Sequence, residues 1–587
     1  MRTKPPLLGL VTGSAAVVGA LLALAILANA FAAYFVAQER CVYYWDWAGY
    51  WVTYLNTSTS LVQHPVSALL SLIGSVRRSD YNPLPVLPLV PFAWLFGTSR
   101  LTYILAITNV ALLPAALIMG LLAQRIFPQQ SPKPSLSPLV LATASVLALP
   151  SLWAPVLRGL PDVLGVLVIG SILLLHFAKP LAEQKPAHLV TTGLLLCLLV
   201  LLRRWYAFWV VAFFPALAVA QGLDIYQRHG VAWRHYMTTT RNAVVIGLTF
   251  ILALFVIATP LALRAIRTDY SDVYSAYRYS SSLLEAAGRL AICFGWSVII
   301  CGLVGLAWLT VRKDTQVVGS FLIMQSFIVF WLFARTQDFG VQHYYLLIPG
   351  IALGVAVVVI GLWARITNGM WRAASVGLVF AALLASSATV FYPRAAGVSD
   401  ILGSLVPQVR YYPLVRNDLD VLRHLLDRLD ELELDQRGDI YVLASSEVLN
   451  SSILDVACQF GPRRRFFCDR ILPTNHVDKR DGFPRQFLHA YYLVVASPTQ
   501  YHLRAEDQRV VGVLAREVME GHGIGASFQR LPGEFKLDNG VTAWVFAKVR
   551  PFERTDLDAL ANEFAGYYPD ERHRHGRRAW RIETSDL

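Results

Sequence analysis

Asp46 is the only acidic residue in a strongly aromatic stretch of the sequence. Seven of the fourteen residues from 41 to 54 are aromatic, against 12% of the whole 587-residue chain. A carboxylate held among such side chains can serve as a general base, and aromatic walls suit the face of a sugar ring. The alternative is an aromatic belt at a membrane surface, with Asp46 capping a helix. Four of the aromatics have the i, i+3, i+4, i+7 spacing of one helix face: Trp47, Tyr50, Trp51 and Tyr54.

Two consecutive arginines, Arg203 and Arg204, interrupt an apolar run at 187–222. Charged side chains at a bilayer boundary are costly unless they are paired or reach the interface, so they are candidate functional residues. Guanidinium groups can hold a phosphate and stabilise charge that develops on a leaving group. The alternative is that these side chains reach out to lipid headgroups.

The composition identifies the kind of protein that must position these residues. Charged residues make up 15% of the chain and the mean hydropathy is +0.48, whereas soluble domains are about 25% charged. Disordered, coiled-coil, collagen-like and disulfide-rich secreted classes are excluded.

The net charge is +12. Residues 1–394 hold 26 Lys and Arg against 11 Asp and Glu, and residues 395–587 hold 25 against 28. The excess positive charge lies in the apolar part of the chain. Nucleic-acid-binding domains carry their positive charge on a soluble face, so this distribution argues against nucleic-acid binding.

The apolar part predicts a polytopic membrane protein with about eleven transmembrane helices. A span needs about 20 apolar residues. The first segment is about twice as long as the apolar core of a signal peptide, which favours an uncleaved anchor over a cleaved signal. The predicted segments are 8–37, 101–124, 138–157, 160–178, 187–202, 205–222, 242–263, 290–311, 318–334, 343–363 and 373–392.

The basic residues predict the orientation of these helices. With the N-terminus inside, all five lysines of residues 1–394 fall in inner loops, as the positive-inside rule expects. Residues 395–587 then lie outside. The outer loops contain arginine and no lysine, and arginine binds phosphate in a bidentate way. The alternative is that these arginines are interfacial anchors. They are Arg40, Arg77, Arg78, Arg100, Arg158, Arg203, Arg204, Arg264, Arg267, Arg278, Arg289 and Arg335.

The order of short motifs in residues 1–394 resembles the GT-C superfamily of polyprenyl-phosphate-sugar glycosyltransferases, especially the protein O-mannosyltransferase and aminoarabinose transferase branch. Asp46 follows the first span in the first outer loop (38–100), where that branch has its catalytic Asp. The motifs that follow are Asn82-Pro83-Leu84, Phe96-Gly97, Pro161-Asp162 and His343-Tyr344-Tyr345 through Pro349. The family's motif often has Glu where Trp47 stands and Arg where His343 stands, so we expect a different substrate.

The resemblance implies an inverting sugar transfer from a lipid-linked donor to a glycan, lipid or protein acceptor, in a bacterial inner or plasma membrane. Asp46 would be the general base. The donor phosphate would be held by Arg203, Arg204, Arg158, Arg335, His343 and Tyr345. The sugar or acceptor pocket would contain Tyr43, Trp47, Tyr50, Asp80, Tyr81 and Asp162. Some relatives use a divalent metal, but this sequence has no acidic cluster and no HxxH or CxxC spacing. We therefore expect no required metal, although a divalent ion remains an open alternative.

Residues 395–587 predict a soluble α/β domain. An amphipathic helix is expected over Asp418–Asp435, a helix start at Ser445-Ser446-Glu447, and a hairpin at Asp538-Asn539-Gly540. Strands are expected over Asp439–Ala444 and Ala490–Val495. Cys458 and Cys468 could pair as a disulfide or remain two thiols.

Two other classes of function use similar residues. A flippase or transporter of a lipid-linked polyanion could employ the same arginines, but it should carry charges in mid-span and paired halves, which are not evident. A sugar-polymer ligase or polymerase usually has its large loop late in the chain. The large first outer loop with Asp46 favours a transferase.

Overall fold

Helices make up most of the chain between residues 15 and 402. The computed structural model describes residues 15–126, 138–231, 233–435, 438–460, 465–569 and 580. In chain order its helices in this region are α1 (Ala15–Ala37), α2 (Trp45–Gln63), α3 (Pro65–Arg78), α4 (Val90–Phe96), α5 (Arg100–Ile107), α6 (Leu113–Ile126), α7 (Pro138–Leu147), α8 (Pro150–Leu157), α9 (Val163–His176), α10 (Pro186–Leu202), α11 (Ala207–His229), α12 (Trp233–Arg267), α13 (Tyr270–Val273), α14 (Leu283–Phe294), α15 (Trp296–Val311), α16 (Gln316–Ala334), α17 (Ile348–Arg365), α18 (Gly369–Phe391) and α19 (Ala396–Leu402).

Seven helices within the described residues are long and apolar enough to cross a membrane. The number rises to nine if two bent pairs each form one span: α7 with α8, bent by 54°, and α14 with α15, bent by 106°. Each of the eleven predicted segments overlaps one of these helices, one of the two bent pairs, or one of two shorter helices, α9 and α10. Residues 8–14 of the first segment lie outside the described residues. The seven are Ala15–Ala37, Arg100–Ile126, Arg204–Arg228, Trp233–Arg267, Gln316–Ala334, Ile348–Arg365 and Gly369–Phe391.

The two short helices differ from the predicted full-length spans. α9 has 14 residues and α10 has 17. At 1.5 Å per residue they are about 21 and 26 Å long, less than the roughly 30 Å hydrocarbon core of a bilayer. α9 begins directly after Asp162, and α10 ends directly before Arg203. The charged residues therefore mark the ends of both helices.

The predicted first outer loop contains helices as well as turns. The aromatic stretch forms the start of α2, as its helical spacing predicts. The proline-rich segment that follows α3 forms short turns and the seven-residue α4. Gly97 ends α4 with φ +85°, a conformation that glycine adopts without steric penalty.

The chain divides into two compact units, and the second collects three separate segments. The predicted domain boundary lay between residues 394 and 395, whereas the C-terminal part of the second unit begins at Leu414. This unit also includes Glu39–Gly49, which carries Asp46, and Asp269–Tyr279. The first unit comprises Met1–Gln38, Tyr50–Thr268 and Ser280–Pro413.

The second unit is built around a five-stranded mixed sheet covered on both faces. Its strands are β1 (Asp439–Leu443), β2 (Ala490–Ser497), β3 (Phe528–Arg530), β4 (Phe535–Lys536) and β5 (Thr542–Lys548), in the order β1-β2-β5-β3 with β4 also on β5. β1 and β2 are parallel, and the other pairs are antiparallel. Alternate residues enter opposite cores, as strand geometry requires: Ile440 and Val442 enter one, and Tyr441 and Leu443 enter the other.

This sheet, together with the apolar helices, confirms the predicted fold class. The helices packed with the sheet are α20 (Leu419–Asp435), α21 (Ser451–Phe460), α22 (Asp478–Asp481), α23 (Arg509–Glu520) and α24 (Arg554–Tyr567). The predicted strands and the hairpin between β4 and β5 are also confirmed. The predicted helix start at Ser445-Ser446-Glu447 is wrong. Asn450 caps α21 instead, its side-chain oxygen accepting from the Ile453 amide at 2.8 Å.

The segment Glu39–Gly49 is anchored in the core of the second unit. Arg40 exchanges two backbone hydrogen bonds with Leu414 and Arg416, each 2.8 Å long. Tyr44 is 4% exposed and packs in the same apolar cluster as Leu449 and Ile453. Burying a large apolar side chain stabilises by about 1.5–3 kcal/mol, so Tyr44 fixes this segment firmly on the sheet domain.

Cys458 and Cys468 form a disulfide, which confirms that pairing. Because ten residues separate the cysteines, loop closure predicts that the bond contributes about 3 kcal/mol to the stability of this unit. Titration of the denatured protein with a thiol reagent should count two more thiols per chain after reduction than before. The double variant C458S/C468S should give equal counts, and equal counts for the natural sequence would show that the bond is absent.

Candidate active site

Arg203 and Asp162 form a buried ion pair between the ends of two short helices. Nε of Arg203 lies 2.6 Å from Oδ1 of Asp162, and neither side chain is more than 5% exposed. A helix dipole favours an anion at the start of a helix and a cation at its end. Asp162 precedes α9 and Arg203 follows α10, so each helix stabilises the charge at its own end.

Two tyrosines of the first predicted outer loop enclose the Arg203 guanidinium. Nη1 of Arg203 donates a hydrogen bond to the Tyr50 hydroxyl. The guanidinium carbon lies 5.0 Å from the ring centroid of Tyr50 and 4.9 Å from that of Tyr81, within the range of a cation–π interaction. The structure thus brings together four of the predicted site residues, which come from three distant parts of the sequence.

Arg204 forms a second, less buried pair with Asp80. Its Nη1 lies 2.5 Å from Oδ2 of Asp80, with the two side chains 22% and 17% exposed. Next along the chain, the Asn82 amide donates to the Leu201 carbonyl at 3.0 Å. Residues 80–82 therefore run antiparallel to residues 201–204: Asp80 meets Arg204, Tyr81 meets Arg203 and Asn82 meets Leu201.

Tyr206 and Tyr345 bind backbone carbonyls near this pair of segments. The Tyr206 hydroxyl donates to the Asp162 carbonyl at 2.8 Å. A Cβ on Gly165 would lie 2.0 Å from the Tyr206 ring, so this glycine makes room for the ring. The Tyr345 hydroxyl donates to the Leu152 carbonyl at 2.9 Å. Both tyrosines are completely buried.

His343 lies beside the arginine segment through Trp205. Its ring centroid is 5.4 Å from that of Trp205 in an edge-to-face arrangement. Nδ1 accepts from the Gly340 amide at 3.1 Å, and Nε2 lies 3.3 Å from the Gln337 amide nitrogen. Because Nδ1 accepts this hydrogen bond, that ring nitrogen carries no proton.

Arg158 and Arg335 contact residues other than those around Arg203 and Arg204. Nη2 of Arg158 donates to the Tyr412 carbonyl at 2.7 Å, and the guanidinium lies 6.0 Å from the Phe35 ring. Arg335 is exposed just after α16, 5.0 Å from the Trp331 ring.

Asp46, Tyr43 and Trp47 belong to the second unit. Asp46 is half-buried in the first turn of α2. The Tyr43 hydroxyl donates to Oε2 of Glu39 at 2.6 Å, and the Trp47 ring lies 5.0 Å from that of Tyr44. α2 continues from this segment to Tyr50, which belongs to the first unit.

Two arginines with a place in the site were missed as site residues. Arg264 has Nη1 3.7 Å from Oδ2 of Asp80. Arg100 is buried and donates from Nη2 to the Arg158 carbonyl at 2.9 Å. A Cβ on Gly159, which has φ +81°, would lie 2.4 Å from that guanidinium. Both arginines belong to the lysine-free set of outer-loop arginines, and Gly159 is a further signal for Arg100, because only a residue without a side chain permits this approach.

The arrangement is suited to binding an anion. Among the described residues, no group of three or more His, Cys, Asp or Glu side chains is placed to hold a metal ion. Arg203, Arg204 and Arg264 each form an ion pair with Asp80 or Asp162. Guanidinium groups bind phosphate through charge-assisted hydrogen bonds.

The chain is similar in structure to two kinds of solved membrane protein. It matches ArnT from Cupriavidus metallidurans bound to undecaprenyl phosphate at 14% identity, over 91% of this chain and 98% of that one, with a TM-score of 0.45. It matches the archaeal oligosaccharyltransferase AglB from Archaeoglobus fulgidus, in complex with an inhibitory peptide and a dolichol-phosphate, at 12% identity. That match covers 81% of this chain and 69% of the other, with a TM-score of 0.45.

The sequence comparisons give no match. No protein-family model matches the chain, and neither does any curated protein sequence.

We expect the loss of each ion pair to lower the stability of the protein by a different amount. Asp162→Asn leaves Arg203 buried opposite a neutral partner, and breaking a buried pair in this way costs about 3–5 kcal/mol. Asp80→Asn breaks a partly exposed pair, which costs about 1 kcal/mol or less. Thermal unfolding of both variants in one detergent should show the larger loss for Asp162→Asn. Equal losses would contradict the structural role assigned to the Arg203–Asp162 pair.

Proposed function

We propose that this protein is a membrane glycosyltransferase that moves a sugar from a polyprenyl-phosphate donor to an extracytoplasmic glycan, lipid or protein, with inversion at the anomeric carbon. The observation that carries the proposal is the Arg203–Arg204 pair at a break between two apolar helices. One arginine is buried against Asp162, and the other is partly exposed against Asp80.

The guanidinium groups of this cluster suit a lipid phosphodiester. Arg203, Arg204 and Arg264 form ion pairs with the carboxylates of Asp80 and Asp162, and guanidinium groups bind phosphate through charge-assisted hydrogen bonds. The phosphodiester of a polyprenyl-phosphate sugar carries one negative charge. In our proposal Arg204 makes the direct contact, because its pair with Asp80 is the more exposed one. Arg203 is the inner, fixed charge.

Asp46 is the proposed general base. Tyr50, which accepts the hydrogen bond from Arg203, follows Asp46 by one turn of α2, so one helix carries both residues. The acceptor hydroxyl gives its proton to the Asp46 carboxylate while its oxygen attacks the anomeric carbon. The bond from that carbon to the phosphate oxygen breaks, and the lipid phosphate leaves as an anion that the guanidinium groups stabilise. A single displacement inverts the configuration.

The remaining predicted residues receive supporting roles in this proposal. His343 supports the arginine segment through Trp205, and Tyr345 holds the adjacent backbone. Arg158 and Arg335 are proposed as further cations on the donor path. Tyr43, Trp47 and Tyr81 are proposed to line the sugar or acceptor pocket. Because Asp80 and Asp162 pair with arginines, we assign them to charge balance ahead of sugar contact.

The proposed location rests on the distribution of lysine and arginine. The active site and the C-terminal domain would face the outside of a bacterial inner or plasma membrane, since the five lysines of residues 1–394 all fall in the predicted inner loops.

Asp46→Asn should abolish most of the sugar transfer and leave donor binding intact. A general base contributes about 10²–10⁴-fold, so we expect a loss of that size in kcat for the purified protein. Asp400→Asn is the matched control, because Asp400 is an exposed carboxylate of the first unit. Transfer by Asp46→Asn at the rate of the Asp400→Asn control would rule out Asp46 as the base.

Arg204→Gln should weaken donor binding by roughly 10–100-fold, the equivalent of one hydrogen bond to a charged group. Arg204→Lys should recover part of the loss, since an ammonium keeps the charge without the bidentate geometry. The dissociation constant for a polyprenyl phosphate in detergent measures the effect, and Arg394→Gln, an exposed arginine, is the control. The double variant Asp80→Asn/Arg204→Gln removes the carboxylate left without its partner. Wild-type binding by this double variant would show that the phosphate lies elsewhere.

A further inference from the structure

Two histidines of the second unit share one buried serine hydroxyl. Oγ of Ser445 lies 2.8 Å from Nδ1 of His476 and 2.8 Å from Nδ1 of His502. The Gln508 amide donates to the same Oγ at 3.1 Å and to the His476 carbonyl at 2.7 Å. These four residues, Ser445, His476, His502 and Gln508, are called the histidine cluster below.

The histidine cluster is arranged to hold its rings in place. Ser445 and Gln508 are completely buried, so no substrate reaches the serine hydroxyl and a nucleophilic role is excluded. Oε1 of Gln508 accepts from the amides of His502 and Leu503, each at 2.9 Å, which fixes the backbone beneath the ring. Burial lowers the pKa of both His476 and His502 to about 4, so both imidazoles are neutral near pH 7.

The outer face of this cluster contacts Trp45. The Trp45 ring centroid lies 4.5 Å from that of His502 and 6.2 Å from that of His476. The Trp45 amide donates to Oγ of Ser452, at the start of α21, at 2.9 Å. Ring and backbone of Trp45 are thus held by two different parts of the sheet domain.

Trp45 adopts a conformation that needs such support. Its φ is +46°, in the left-handed region where a residue with a Cβ is strained. Strain of this kind persists only when the surrounding contacts determine the conformation. Here they include the His502 ring and the Ser452 hydroxyl.

The strained residue is the first residue of α2, directly before Asp46. The Tyr44 carbonyl accepts from the amides of Trp47 and Ala48 at 3.1 and 3.2 Å, so the first turn of α2 is built on a residue buried in the sheet domain. The φ of Trp45 sets the path of the backbone into Asp46, the next residue of the same unit.

We infer that His502, held by the histidine cluster, is a positioning residue for Asp46: it fixes Trp45 in the left-handed conformation from which α2 begins. The inference rests on the proposed function for the role of Asp46. The sheet domain then acts in the reaction by holding the start of the helix that carries the base.

Hydrogen–deuterium exchange on the purified full-length protein tests the structural step. His502→Ala should speed exchange of the peptide covering residues 43–49 by tenfold or more and leave the β2 peptide (490–497) within twofold of wild type. His489→Ala, an exposed histidine of the same unit, should change neither. His502→Phe keeps an aromatic ring against Trp45 and should stay within threefold of wild type.

Three results would overturn the inference. They are unchanged exchange of residues 43–49 in His502→Ala, equal acceleration of the β2 peptide, and acceleration in His502→Phe as large as in His502→Ala. The second would mean that His502 only stabilises the domain, and the third that the ring contact is not what holds Trp45.

Transfer kinetics test the catalytic step. Misplacement of a catalytic group by about 1 Å can lower the rate about 100-fold. His502→Ala should therefore lower kcat by about that factor with donor KM changed less than threefold, and His502→Phe should recover most of it. Unchanged kcat in His502→Ala would refute the positioning role. If the wild-type protein transfers no sugar from any polyprenyl-phosphate donor, the proposed function fails, while the exchange comparison still decides whether His502 holds Trp45.

Discussion

The buried ion pair between Asp162 and Arg203 is the interaction on which the first unit's site depends. Two charges in an apolar environment are unfavourable unless they are paired. The chain meets this requirement by ending two helices early, so that the carboxylate lies at the start of α9 and the guanidinium at the end of α10. Each charge then has both a partner and a favourable helix dipole.

The shortened helices also create the break that receives the first predicted outer loop. Because α10 ends at Leu202, the Leu201 carbonyl and the two arginines are left to interact with residues 80–82 and Tyr50. A continuous helix through 187–222 would have used that backbone internally and spread the arginines over its sides. The same break thus gives the buried Arg203 side chain its polar partners and brings together the residues of the candidate phosphate site.

Secondary structure and turns were predictable from the sequence, whereas contacts between residues far apart in the sequence were not. The apolar helices, β1, β2 and the hairpin at Asp538-Asn539-Gly540 follow from periodicity and turn residues, whereas cysteine placement left the disulfide as one of two alternatives. The pairing of Arg203 with Asp162 and of Arg204 with Asp80 depends on packing between segments about 40 and 120 residues apart. The start of α21 was misplaced because Ser446 and Asn450 both have capping side chains, and only the tertiary structure selects Asn450. The assignment of residues 39–49 to the second unit depends on Tyr44, whose burial in a distant core has no local signature.

The most direct test of the account is a cryo-EM structure of the full-length protein in lipid nanodiscs with undecaprenyl phosphate bound. The account predicts a phosphate oxygen within hydrogen-bonding distance, about 3 Å, of a guanidinium nitrogen of Arg203 or Arg204, with Arg203 still paired to Asp162. A phosphate bound elsewhere, with both arginine–aspartate pairs intact and out of contact with it, would contradict the central claim that this cluster is the donor site.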